Sequence, residues 1–363
     1  MPEVVPLQRI ARSILIIQLG DIGDVVLSIP AFRTVRENNP QAKVTVAVRS
    51  KAHELISQIP WVDGAIAVNE DRRSPLGELR HQWEFFSLVR RHRFDLAFDL
   101  RTGTRGAILA YLSGARERVG FFDPEGHWRN RLFTRLYRLE YRLPHHVSVY
   151  YSSLLQAHGL TVSEEAPEIR VPPETRERAV KILQTAGVSA ELPVITIQPF
   201  SLWRYKEWGI DKLVLLVQRI LATCRASIAI TGSPDERSRA EGVADLCGRD
   251  AGRIYNLAGK TSLGELSALI ASSRLFIGLD SAGVHIAAAV GTPTVAIFGP
   301  SAPASWAPIG ESHAFVQKDL PCVPCRQKGC DGSGVSRCLE ELGVDEVWTT
   351  VRTQLNSLGI DAA

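Results

Sequence analysis

Short apolar runs recur along the chain, most of them closed by glycine, proline or aspartate and followed by a segment of helical period. In the first half the runs are SILIIQL from Ser13, AKVTVAV from Ala42 and FDLAFDL from Phe94. Runs of this length and β-branched content read as buried strands. VVLSIPAFRTVREN from Val25 and TRGAILAYLSG from Thr104 read as helices between them. The pattern restarts with PVITIQP from Pro193, CRASIAITGS from Cys224, LFIGLD from Leu275 and TPTVAIFGP from Thr292. Helical segments GELSALIASS, AGVHIAAAVG and DEVWTTVRTQLNSLG follow or separate these runs. Strands alternating with helices imply parallel sheets with crossover helices, an α/β architecture.

A stretch rich in Pro and Glu, residues 161–178, divides the two series. The expected organisation is a Rossmann-like domain over 1–165, a linker over 166–180, a second Rossmann-like domain over 181–345 and a last helix over 346–363 packing back on the first domain. Two such halves predict a ligand cleft between them.

In a parallel sheet, functional loops follow the carboxyl ends of strands. The first such loop, LGDIGD, sets Asp21 and Asp24 beside Gly20 and Gly23. A carboxylate there either caps the next helix or faces the ligand as a general base, and the local sequence leaves both open. The spacing is not G-x-G-x-x-G, which argues against a dinucleotide site. A second loop, LDSAGVH, places Asp280, Ser281, Ala282 and Gly283 at a helix start with His285 one turn in. Free N–H groups and the helix dipole make such a start an anion site, and FGPSAP supplies another Gly/Pro loop on the same rim. A third loop, QPFSLWRYKEW, carries Ser201, Arg204 and Lys206, where a cation can pair with a diphosphate or lie solvated.

Composition narrows the picture. The chain has 363 residues, 45% hydrophobic and 22% charged, as in globular proteins. No apolar run approaches the ~20 residues of a membrane span, and the first residues lack the pattern of a secretory signal, so a cytoplasmic protein is expected. Residues 1–163 hold 22 Lys and Arg against 16 Asp and Glu, and the remainder 20 against 23. A basic front half suits an anionic partner there, but the excess is too small to indicate nucleic acid.

Taken in order, these pieces resemble glycosyltransferase family 9, the bacterial lipopolysaccharide heptosyltransferases. LGDIGDVVLSIPAFRTVRENNP resembles the family's N-terminal motif, DLRTGTRGAILAYLSGARERVGF its middle segment, and NLAGKTSLGELSALIASSRLFIGLDSAGVHIAAAVGTPTVAIFGP its donor block. The resemblance implies the GT-B fold and an inverting transfer of heptose from an ADP-sugar to the lipopolysaccharide inner core or a related glycolipid. It assigns Asp24 as the base, Lys206 as the cation stabilising the departing diphosphate, Asp280 and Ser281 as the pair at the phosphate-binding helix, and Glu236 as a carboxylate on the donor ribose. Donor contacts are thus expected from Ser201, Lys206, Glu236, Asp280, Ser281, Ala282, Gly283 and His285, with no catalytic metal or other cofactor. Arg101, Arg105, Arg116 and Arg118 are expected to contact the anionic acceptor. The rival readings are a GT-B enzyme using another nucleotide sugar, and a non-catalytic, metal-stabilised sugar-nucleotide-binding protein.

Two features stand apart. Cys322, Cys325, Cys330 and Cys338 follow the spacing C-x2-C-x4-C-x7-C, which suits either a metal, structural zinc ahead of an iron–sulfur cluster, or reduced thiols or a redox disulfide, while Cys224 and Cys247 read as core or surface residues. The segment from Trp128 to Tyr151 interleaves arginines with aromatics. It reads either as a surface that touches the inner face of the inner membrane or as a solvated helix face.

Overall fold

The computed structural model describes residues 11–69, 85–139, 145–248 and 252–360. The chain divides into two compact units, residues 1–167 and 168–363. Each contains a six-stranded parallel sheet.

In the first unit the strands are β1 (Ser13–Gln18), β2 (Lys43–Arg49), β3 (Gly64–Val68), β4 (Leu96–Asp99), β5 (Glu117–Phe121) and β6 (Arg135–Tyr137). Their spatial order is β3-β2-β1-β4-β5-β6. In the second they are β7 (Val194–Gln198), β8 (Ser227–Ile230), β9 (Ile254–Asn256), β10 (Leu275–Leu279), β11 (Thr294–Phe298) and β12 (His313–Gln317). Their order, β12-β11-β10-β7-β8-β9, is the same topology traced from the opposite edge. The chain starts each sheet at its centre, builds to one side, then crosses to the other. The crevice between the two central strands is where such sheets bind ligands. It lies between β1 and β4 in the first unit and between β7 and β10 in the second.

The central strands are buried on both faces, as a sheet covered by helices requires. The segment after β1 is not one helix. It breaks into Ile22–Leu27 and Ile29–Asn38 at Ser28. Pro30 has no N–H to donate and its ring crowds the preceding turn, so the first helix ends before it. Ser28 Oγ donates instead to the Asp24 carbonyl at 2.8 Å.

Part of the expected linker is helical. Pro172 and Pro173 stand at the cap and first position of a helix spanning Pro173–Thr185, where proline is tolerated. The last helix, Val344–Ser357, buries Val347, Val351 and Leu355 in the core of the second unit, alongside Leu216, Ile220 and Val316. Among the described residues no helix is long and apolar enough to cross a membrane.

Candidate functional site

The loop after β1 places Asp24 in the first turn of the helix Ile22–Leu27, and both carboxylate oxygens are engaged. Oδ2 accepts from the backbone N–H of Asp21 at 2.9 Å and from Arg101 Nη1 at 2.7 Å. Oδ1 accepts from the Tyr151 hydroxyl at 2.7 Å. The capping role therefore falls on a carboxylate that also meets an arginine and a phenol. Arg101 reaches Asp24 from the loop after β4, so the pair spans the central crevice of the first sheet. Gly20 makes the approach possible, since a β-carbon there would collide with both the Arg101 guanidinium and the Asp24 carboxylate. The side chain of Asp24 is 13% exposed and that of Arg101 41%, so the carboxylate keeps a narrow opening while the guanidinium faces outward.

Beside them lies Asp99, the last residue of β4. Its Oδ1 accepts the Arg101 N–H at 3.2 Å, while the buried Oδ2 has no partner. Burial pushes the carboxyl up to about 7, against the pull of the Arg101 N–H and the charges of Arg129 and Arg101. Gly106 is the glycine that leaves room for this carboxyl group.

The second crevice carries the reverse arrangement. Lys206, in the loop after β7, meets Asp280, just past β10, with Nζ 2.6 Å from Oδ2. The pair is largely buried, with side-chain exposures of 20% and 5%. Ser281 caps the helix Ala282–Ala289, its Oγ buried without a partner. Gln198, at the end of β7, directs a buried Oε1 that also lacks one. Buried polar atoms are nearly always satisfied, so two orphans around one helix start and one lysine mark a place built for a polar ligand. His285 is buried in the same helix, and Ala282 and Gly283 form its first turn. The loop bearing Lys206 is clamped by Glu207, which takes Arg239 through both oxygens at 3.1 and 2.5 Å and lies 3.4 Å from the Ser201 N–H. Glu236 is half-buried, its Oε2 accepting the Ser233 N–H at 2.7 Å.

The acceptor arginines separate. Arg101 and Arg105 lie at the carboxyl edge of the first sheet, where Arg105 opens the helix Thr104–Leu112. Arg116 and Arg118 stand at the amino-terminal end of β5, on the opposite edge of a parallel sheet. Arg118 is spent on the carbonyls of Leu132 and Ala115 at 2.7 and 2.6 Å. The sequence placed all four together because they follow one strand, but the chain crosses the sheet between Arg105 and Arg116.

Among the described residues the cysteines form no disulfide, and no three metal-ligating side chains form a group able to hold a metal ion. Left-handed backbone at Arg326, Gly329, Asp331, Gly332 and Gly334 turns the loop repeatedly, leaving Cys322 exposed and Cys338 buried in the core of the second unit. This segment braces the loop bearing Lys206, with Ser336 Oγ donating to the Tyr205 carbonyl at 2.6 Å. Cys224 and Cys247 are core residues.

The segment from Trp128 to Tyr151 is partly outside the described residues, at 140–144. Trp128 is exposed, but Arg129 is buried and bonded to the Phe121 carbonyl, and Tyr150 stacks on Phe121 with ring centroids 4.6 Å apart. Tyr151, Gln18 and Gln198 are the site residues that motif reading missed. Helical period shows only that Tyr151 is buried, since Val147, Tyr151, Leu154 and Leu155 share one face; it does not show its role.

The model of glycosyltransferase family 9 (heptosyltransferase) matches residues 82–335. The chain belongs to this family. It is a glycosyltransferase. Lipopolysaccharide heptosyltransferase 3 of Escherichia coli is 27% identical over 291 residues, covering 79% of this chain and 83% of that protein. The fold matches E. coli ADP-heptose lps heptosyltransferase II with a TM-score of 0.78 at 22% identity, covering 95% of this chain and 99% of that one. It also matches E. coli heptosyltransferase WaaC with ADP-2-deoxy-2-fluoro heptose, at a TM-score of 0.70 and 17% identity, covering 94% and 99%. These two structures are GT-B relatives, and the two six-stranded parallel sheets of this chain have that architecture.

Proposed function

We propose that this glycosyltransferase transfers heptose from ADP-heptose, with inversion, to the inner core of lipopolysaccharide or a related glycolipid. The observation that carries the reading is the second crevice, where Lys206 and two orphaned polar atoms surround a helix start. That chemistry suits a diphosphate. The relatives' names supply the sugar and the acceptor.

In this reading the diphosphate lies against Lys206, Ser281 and the helix N–H groups, and Glu236 takes the donor ribose. Asp24 accepts the proton of the acceptor hydroxyl as that oxygen bonds to the anomeric carbon. The bond from carbon to diphosphate breaks on the opposite face, and ADP departs with the electron pair. Negative charge develops on the leaving diphosphate, where fixed donors and a lysine stabilise the transition state more than the ground state. A positioned carboxylate base contributes about 10²–10⁴-fold. The acceptor is anionic and lipid-linked, so the enzyme works as a peripheral protein at the cytoplasmic face of the inner membrane.

The test compares thermal stabilisation by ADP, UDP and GDP, followed by a transfer assay with ADP-heptose. Stabilisation by ADP that vanishes in Lys206→Ala, with transfer lost in Asp24→Asn but ADP binding kept, supports the reading. Stabilisation by UDP or GDP instead replaces the donor. No shift with any nucleotide overturns the assignment of the second crevice as the donor site.

A further inference from the structure

Tyr151 is the least expected member of the first crevice. It comes from the helix Val147–Ala157, more than 120 positions along the chain from Asp24, and is 4% exposed. Its hydroxyl donates to Asp24 Oδ1 at 2.7 Å. The Gln18 amide lies beside the phenol and opposes the rise of its pKa. Gln18 is itself locked, with Oε1 accepting the Gly20 N–H at 3.1 Å and Nε2 reaching Ser28 Oγ at 2.5 Å. Ser28 Oγ closes the circuit on the Asp24 carbonyl. Every member of the ring other than Asp24 is buried or nearly so. A fold needs none of this to cap a six-residue helix, for which the Asp21 N–H suffices.

Burial, then the negative charge of Asp24, pushes the Tyr151 phenol far above its ordinary value. The hydroxyl is therefore always a donor and never a base at working pH. Its effect is geometric. Arg101 alone would hold Oδ2 and leave the carboxyl plane free to turn about the Cβ–Cγ bond. The phenol on Oδ1 fixes that plane from the other side. One acceptor position of Oδ1 stays open, since an ionised carboxylate offers about four in all and three are filled.

We propose that Tyr151 is a positioning residue for the general base, holding the Asp24 carboxylate in the orientation in which Oδ1 meets the acceptor hydroxyl. The inference rests on Asp24 being the base of the transfer reaction. A carboxylate tolerates roughly 10–20° of misorientation before proton transfer suffers, and a buried supporting shell is what holds it within that range.

The test is a double-mutant cycle on turnover in the full-length protein, with wild type, Tyr151→Phe, Asp24→Asn and the double variant. Tyr151→Phe lowers kcat about tenfold or more, leaves both KM values within about twofold, and moves the acid limb of the rate profile to higher pH, because the ionised carboxylate loses a donor. In the Asp24→Asn background the same change has no further effect, since a residue acting through another is silent once that other is gone. Nucleotide-induced stabilisation stays at the wild-type value in all four proteins, which separates positioning from general damage. A Tyr151→Phe enzyme with wild-type kcat and pH profile overturns the proposal, as does an equal rate loss in both backgrounds. A wild-type protein that transfers nothing overturns the underlying reading, and the proposal with it.

Discussion

A β-carbon on Gly283 would collide with Gln198 Oε1 and crowd the Phe276 ring. The glycine is set by space, because its helix starts hard against Gln198 at the end of β7. Gly283→Ala is expected to displace Gln198 and weaken ADP binding at least tenfold. Overpacking of this kind costs about 1–3 kcal/mol. Nucleotide titration by calorimetry, with urea denaturation alongside, checks both effects. An alanine variant with unchanged affinity would show that Gln198 is not part of the donor site.

Lys206 and Asp280 neutralise one another in the second crevice. Removing one member of a buried pair leaves the other uncompensated, at about 3–5 kcal/mol. Lys206→Ala is expected to destabilise the protein by an amount toward the lower end of that range, given the lysine's partial exposure. Lys206→Ala combined with Asp280→Asn should cost less than Lys206→Ala alone. Urea unfolding of the two variants measures the difference. Equal stability would mean that the pair is solvated and contributes little.

Gly20 has a comparable constraint in the first unit. Gly20→Ala must push apart Arg101 and Asp24. Transfer is expected to fall by about 10²-fold, the loss of a misplaced base. ADP binding should be untouched, because the donor residues belong to the other unit. Parallel rate and binding measurements decide.

Asp99 gives a pH prediction. Its folded carboxyl titrates near 7, above the ordinary carboxylate value, with burial as the main cause. The folded state thus holds this proton more tightly than the unfolded chain does. Stability from this group is fullest below pH 4, declines as pH rises toward 7, and is flat above. Asp99→Asn keeps an acceptor for the Arg101 N–H and removes the titration. Relative to wild type it should gain stability progressively between pH 4 and pH 8, on the order of a few kcal/mol at the upper end. Melting curves across that range would expose a constant offset if the expectation is wrong.

The central strands were legible because full burial writes them as unbroken apolar runs such as Ile14–Ile17 and Leu275–Leu279. The edge and outer strands were not. β6 is three residues, RLY, and β5 opens with Glu117 and Arg118, so neither carries a clear period. The loops at strand ends announced Asp24, Lys206 and Asp280, since glycine and charge there have few other uses. Tyr151 and Gln198 stayed hidden because their roles depend on which strands and helices become neighbours. The spacing of the four cysteines left a metal site and thiols both open, because it counts residues, whereas left-handed turns between Arg326 and Gly334 set the path of the loop.

The two sheets share a topology but not a polarity. In the first, the acid follows the first strand and the cation the fourth; in the second, Lys206 follows the first strand and Asp280 the fourth. Each crevice holds one acid paired with one cation. A balanced mouth neither draws an anionic sugar nucleotide in from a distance nor repels it. Donor capture should therefore proceed at an ordinary diffusive rate with a shallow dependence on ionic strength, and discrimination should reside in how slowly the correct nucleotide leaves.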